Sequence, residues 1–206
     1  MIKTRFTTLW VLIIGFFSYT GYSQTKSAAL TYQKNLNSQY ADPYNSPLPK
    51  YSLATFKALP FYEWNENYRV IASVKRTPEA PLFVMQTTTD RQPLYQQYAI
   101  LSFVIDGQHT QLRLYRSQES KYSMEYKDYL FLPFKDSTND SETYEGGRFL
   151  DVFISDIVND QIVLDFNKAY NPYCAYNHKY SCPVPPVENH LDIAIKAGVK
   201  TGIIKK

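Results

Sequence analysis

The sequence is short of the features that most readily betray a function. It has no excess of charge of one sign: 22 Lys and Arg stand against 19 Asp and Glu over 206 residues. Lys3 and Arg5 are the only charges before Ser23, so a chain starting at Gln24 has a formal charge of +1. A near-neutral surface gives no electrostatic reason to expect nucleic acid or an anionic membrane as partner. Long apolar runs are also missing. The longest, Leu9 to Phe17, is about half the roughly 20 residues needed to span a bilayer. No cysteine follows it to carry a lipid anchor. Neither phosphate-loop fingerprint is present, and no acidic cluster has the alternating Asp/Asn pattern and following Gly of a calcium loop. No cofactor is expected. Repeats, low-complexity tracts and linkers are likewise absent.

What is present begins with a processing signal. A basic start, an apolar run and the small-residue sequence Gly21-Tyr22-Ser23 are the order of charge, apolarity and cleavage site of a secretory signal. Residues 1–23 are therefore expected to be removed, and the remaining 183 residues to form one exported domain, periplasmic or extracellular, with no membrane anchor. That length can bury a full core without metals or many disulfides.

Ala28, Tyr32, Leu36 and Tyr40 recur at spacing four and predict a short N-terminal helix. Asp42-Pro43 and Ser46-Pro47 end it, because proline disfavours helix in the preceding residue. Thereafter the period is two. Strands are expected at 68–74, 82–87, 129–134, 149–154, 161–166 and 191–195. A hairpin is expected with Leu101, Phe103 and Ile105 on one face, Asp106-Gly107 in the turn, and Leu112 and Leu114 on the return. Some eight short strands predict a mainly β, single antiparallel barrel or sandwich-like domain. The 19 tyrosines suit half-buried pleated surfaces, or, more sharply, an aromatic groove for sugar or peptide.

Two segments break the β pattern. Leu132 to Arg148 is polar, carries four acids and ends on Gly146-Gly147-Arg148. A glycine pair can turn backbone N–H groups into one concavity, and Arg148 could add a bidentate fork for an anion. The plain alternative is a hairpin loop whose glycines supply positive φ. Asp165 to Asn189 is rich in Asn, Tyr and Pro and holds both cysteines. Cys174 and Cys182 most simply form a disulfide in an exported chain. Zinc on Cys174, Cys182 and His178 lacks a fourth ligand nearby, and a nucleophilic cysteine finds no recognisable catalytic context at His109, His178 or His190.

The runs LFLPFKDSTNDSETYEGGRFLD (130–151) and DFNKAYNPYCAYNHKYSCPVPPVENHLDIAIKAG (165–198), with SPL (46–48), FYEWNENYRV (61–70) and TTTD (87–90), resemble the bacterial family known as domain of unknown function 1684. The resemblance implies that Phe134, Asp136, Thr138, Tyr144, Gly146, Gly147, Arg148, Asp165, Asn167, Asn171, Pro172, Cys174, Cys182, Pro183, Pro186 and Asn189 belong to a shared pattern. Asp140 departs from it, where a small residue is expected. The family supplies no substrate. The expectation drawn from the residues is a binding domain for a small polar or anionic ligand, where loops 136–148 and 171–189 meet. Arg148 is its anion anchor, Asp136, Thr138, Gly146, Gly147, Asn171 and Asn189 its polar contacts, and Tyr144 and Tyr176 its walls. One alternative is a hydrolase-type enzyme using Asp136 or Asp165 beside Arg148. The other is a purely structural bridge between Arg148 and Asp136.

Overall fold

The computed structural model describes residues 12–201, with side chains from residue 24 onward. The basic start of the expected signal and the side chains of its apolar run and cleavage site lie outside the described residues.

The chain opens with helix α1 (Leu12–Ala41), followed by a single turn, α2 (Lys50–Leu53). Along α1 the buried side chains are Ala29, Gln33, Leu36 and Tyr40, while Ala28 is exposed. Strict spacing of four drifts around a helix of 3.6 residues per turn, so the true stripe alternates steps of four and three. Among the described residues no helix is long and apolar enough to cross a membrane.

Seven strands follow: β1 (Arg69–Arg76), β2 (Leu82–Val84), β3 (Leu94–Ile105), β4 (Gln108–Ser117), β5 (Tyr129–Phe134), β6 (Arg148–Phe153) and β7 (Gln161–Asp165). A short helix, α3 (Gln118–Tyr122), follows β4. All pairings in the sheet are antiparallel, in the order β6-β5-β4-β3-β1-β7, with β2 beside β3. The sheet curls into a half-barrel, so the mainly β antiparallel architecture expected from the sequence is the one observed. The β3–β4 hairpin turns at Asp106 and Gly107, both with positive φ (48° and 74°). That is the pair of left-handed residues a tight turn needs to match strand twist.

Alternation assigns the faces. Leu101, Phe103, Ile105, Leu112, Leu114, Leu130, Leu132, Phe134, Leu150, Val152, Ile162 and Leu164 form one buried inner cluster. The outer face of the β3–β6 end is aromatic: Tyr95, Tyr115, Phe131 and Phe149 pack with Met85. Phe131 and Phe149 meet edge to face, with ring centres 4.7 Å apart. Fully burying such side chains is worth about 1.5–3 kcal/mol each, which makes these two layers the main support of the fold.

One expected strand is not a member of the sheet. Residues 190–199 instead form a strap across the half-barrel. Leu191, Ile193, Ile195, Ala197 and Val199 are buried, whereas Asp192 and Lys196 are exposed or half-buried. The period-two pattern is genuine, but no single strand pairs with it: its backbone bonds go to backbone groups of Lys135, Ser137, Ala169 and Tyr62 and, between residues 195 and 199, to side chains.

Candidate functional site

The side chains that bond residues 195–199 of the strap are Asp136 and Arg148. Arg148 opens β6 on its inner face, its guanidinium 5.3 Å from the Phe134 ring centre. It has no exposed surface. One Nη donates to Asp136 Oδ2 at 2.7 Å and to the Ile195 carbonyl at 2.8 Å, and the other donates to the carbonyls of Ala197 and Val199. Asp136 Oδ1 accepts from the Thr138 N–H (2.9 Å), the Thr138 hydroxyl (2.6 Å) and the Ile195 N–H (3.2 Å). Oδ1 thus takes three donors and Oδ2 one, and the whole side chain is out of contact with water. A neighbouring strand would ordinarily satisfy the strap's backbone. Here an ion pair takes over part of that role, at Ile195, Ala197 and Val199.

The anion-anchor expectation for Arg148 therefore meets a guanidinium turned wholly inward, and none of the main cavities lined by described residues borders it or Asp136. The side chain of Asp136 has no exposed surface from which to reach a substrate proton. Asp165 caps the turn after β7 by accepting from the Asn167 N–H and Nδ2, and among the described residues no ion pair links it to Arg148.

The other expected contacts are also internal. Thr138 bonds the Thr143 hydroxyl at 2.8 Å. Asn189 is fully buried between β4 and β5. Its amide donates to the carbonyls of Arg113 and Pro133 and accepts from the Arg113 N–H. Proline cannot donate to a ladder, and Asn189 fills the place where β4 and β5 part. Asn171 donates to the hydroxyl of buried Tyr176, whose ring stands edge-on to Tyr40 at 5.1 Å. Gly147 has φ +92°, and a Cβ there would lie 2.7 Å from the Phe134 carbonyl oxygen. A Cβ at Gly146 would overlap the Tyr144 ring.

The two irregular loops do meet, at a different point. The Tyr144 hydroxyl lies beside the sulfur of Cys174, and Pro185 packs on Gly147. Cys174 and Cys182 are not bonded: both are buried thiols 3.1 Å apart. The disulfide expected from the sequence is not shown. Among the described residues no three His, Cys, Asp or Glu side chains gather as metal ligands.

A cavity of about 510 Å³ lies elsewhere, between α1 and the aromatic outer face. Tyr32, Leu36, Tyr95, Tyr129, Phe131, Phe149, Tyr170 and Tyr173 form its walls, and Asn35, Gln39, Arg91, Asp151 and Ser181 supply polar groups. Asp151 is exposed, yet one of its oxygens accepts from the hydroxyls of Tyr129 (2.9 Å) and Tyr170 (2.6 Å). Burial, with the Asp151 charge close by, pushes both tyrosines well above the ordinary phenol range and keeps them as donors. Of the two loops, only 171–189 borders this cleft, through Pro172, Tyr173, Ser181, Cys182 and Pro183. A second groove of about 780 Å³ runs between Phe83, Tyr115 and the segment Val184 to Val187, with Lys135 and His190 at its side.

A model of the family described as protein of unknown function (DUF1684) matches residues 54–200. The chain belongs to the DUF1684 family. A solved structure similar to this DUF1684 chain agrees in fold: the solution structure of an uncharacterized protein from gene locus rrnAC0354 of Haloarcula marismortui is 30% identical. It superposes with a TM-score of 0.70 and covers 90% of this chain and 99% of its own. No curated protein matches the chain.

The DUF1684 match leaves out α1, so the wall made by Tyr32, Asn35, Leu36 and Gln39 comes from outside the matched segment. The tyrosine-rich sequence suggests an aromatic groove for sugar or peptide but assigns no residues to it. The cleft's central carboxylate, Asp151, sits in a strand, not in a polar loop. The available signal was alternation, which puts Phe149 and Asp151 on one face of β6.

Proposed function

We propose that the protein is an exported binding domain whose ligand occupies the cleft between α1 and the outer face of the sheet. The observation that carries this reading is Asp151: a solvent-facing carboxylate oriented by the hydroxyls of two half-buried tyrosines at the wall of an aromatic cavity. Holding a charged acceptor in one orientation before a ligand arrives lowers the cost of binding. Apolar walls with a few convergent polar groups are the usual make-up of small-molecule sites.

The set of groups favours a polyhydroxylated ring. Flat aromatic faces cover C–H surfaces, while Asp151, Asn35, Gln39 and Arg91 offer acceptors and donors to neighbouring hydroxyls. This keeps the small polar ligand expected from the sequence and its 171–189 wall, and moves its centre from Arg148 to Asp151.

Titrating the protein with a panel of mono- and oligosaccharides, followed by backbone amide NMR, tests the reading. Saturable shifts confined to residues around Asp151 and Tyr95 are expected for at least one sugar. Asp151→Asn should weaken that ligand about tenfold, the worth of one hydrogen bond to a charged group. A panel with no saturable shift at the cleft defeats the proposal. The export route is supported by the basic start, apolar run and small-residue site of residues 1–23. Terminal sequencing of the protein recovered outside the cytoplasm should begin at Gln24, and an intact Met1 in that fraction would exclude cleavage.

A further inference from the structure

The cleft has one wall residue that ligand binding does not use. Cys182 faces it, and Cys174 lies directly behind, 3.1 Å away. The backbone fixes both. The Thr88 N–H donates to the Cys182 carbonyl at 2.9 Å, and the Cys182 N–H donates to the Thr88 hydroxyl oxygen at 3.1 Å. The Cys174 N–H points at the Cys182 sulfur from 3.2 Å. Around Cys174 sulfur gather the Cys182 thiol and the hydroxyls of Tyr144 and Thr88. A thiolate is the nucleophilic form of cysteine.

We propose that Cys174 and Cys182 form a reversible dithiol–disulfide centre, with Cys174 the attacking thiolate, Cys182 the resolving thiol and a small hydroperoxide the oxidant. The Cys174 thiolate attacks the nearer peroxide oxygen. The O–O bond breaks, and the departing alkoxide or hydroxide takes a proton, leaving Cys174 as sulfenic acid. Cys182 sulfur then attacks Cys174 sulfur. The S–O bond breaks, and hydroxide leaves as water with the Cys182 proton. Two thiols lose two hydrogens and two electrons, and the peroxide takes up both. A thiol reductant reverses the change. The sulfurs need only close from 3.1 Å to the bonded length of about 2.05 Å. The centre stands whether or not the cleft binds sugar.

The local charges agree. Hydrogen bonds from the Cys182 thiol, with those from Tyr144 and Thr88, hold Cys174 down at about 7, while Cys182 is pushed far up by its bond to Cys174 and by burial. Arg91 faces Cys182 from the cleft, Glu145 lies beyond Tyr144, and Tyr40 and Tyr173 approach from the helix side.

The test treats the folded protein with hydrogen peroxide, denatures it in an alkylating agent and weighs it. Wild type should lose the mass of two hydrogens, resist alkylation, and regain both thiols with dithiothreitol. Cys182→Ser should instead retain a sulfenic acid at Cys174 that dimedone traps. Tyr144→Phe should move the pH midpoint of the wild-type oxidation rate upward from near neutrality, a shift a merely structural tyrosine would not cause. Two alkylatable thiols in peroxide-treated wild type would overturn the proposal. Equal dimedone trapping at Cys182 in Cys174→Ser would overturn the assignment of roles.

Discussion

Replacing Arg148 by methionine keeps most of the side chain's bulk and removes its charge from a place with no water. The variant strands the buried Asp136 carboxylate and takes donors from the carbonyls of Ile195, Ala197 and Val199. Breaking one side of a buried ion pair costs about 3–5 kcal/mol. Asp136 keeps three other donors, which places the expected loss near the lower end, about 3 kcal/mol. In a domain of this size that corresponds to a fall of about 6–12 °C in Tm. Asp136→Asn alone should be destabilising too, because it leaves the guanidinium uncompensated. The double variant removes both charges, so its loss should fall short of the sum of the singles by about 2 kcal/mol, the size of coupling seen between groups in one network. Urea unfolding of the four proteins, compared at equal m-value, gives the cycle. Single variants within about 1 kcal/mol of wild type, or strictly additive losses, would refute the argument that this pair holds the strap. A stable Arg148→Met protein that had lost an anionic ligand would restore the anchor role.

Asn189→Ala should cost about 2–3 kcal/mol by urea unfolding, since it strands the Arg113 N–H and the carbonyls of Arg113 and Pro133 between two strands. Gly147→Ala combines a positive φ with a close approach to the Phe134 carbonyl. Thermal melts should show a loss of about 1–3 kcal/mol from backbone strain alone. The Glu142 carboxyl is held below its ordinary value by hydrogen bonds from Lys196 and Tyr62. A depressed folded-state value means its contribution to stability is present above the unfolded pKa and fades as pH falls through the folded one. Lys196→Ala should therefore raise the Glu142 midpoint in an NMR titration, with no measurable change in stability, because the pair is exposed.

Strands whose side chains alternate between core and surface were legible in the sequence. β5 spans Tyr129–Phe134 as expected, and the β3–β4 hairpin turns on Asp106-Gly107. The strap was legible as a period-two run at 191–195 but not as something lying outside the sheet. Period reports which side chains are buried and says nothing about what satisfies the backbone. The polar loop ending at Arg148 was read as a surface site for the same reason. Charge in a sequence suggests water, and only the fold shows a carboxylate and a guanidinium bonded to each other and to the strap with no exposed surface. Asp151 went unremarked because its importance depends on Tyr129 and Tyr170, which reach it from 22 and 19 residues away.

The strap also bears on when this domain can finish folding. Six of the seven strands are complete by Phe153, and β7 by Asp165, yet the half-barrel's interior stays uncovered until residues 191–199 are supplied. A nascent or translocating chain lacking them would hold Arg148 and Asp136 ready with nothing to grip. Such an arrangement postpones closure until the last segment of the fold has been delivered.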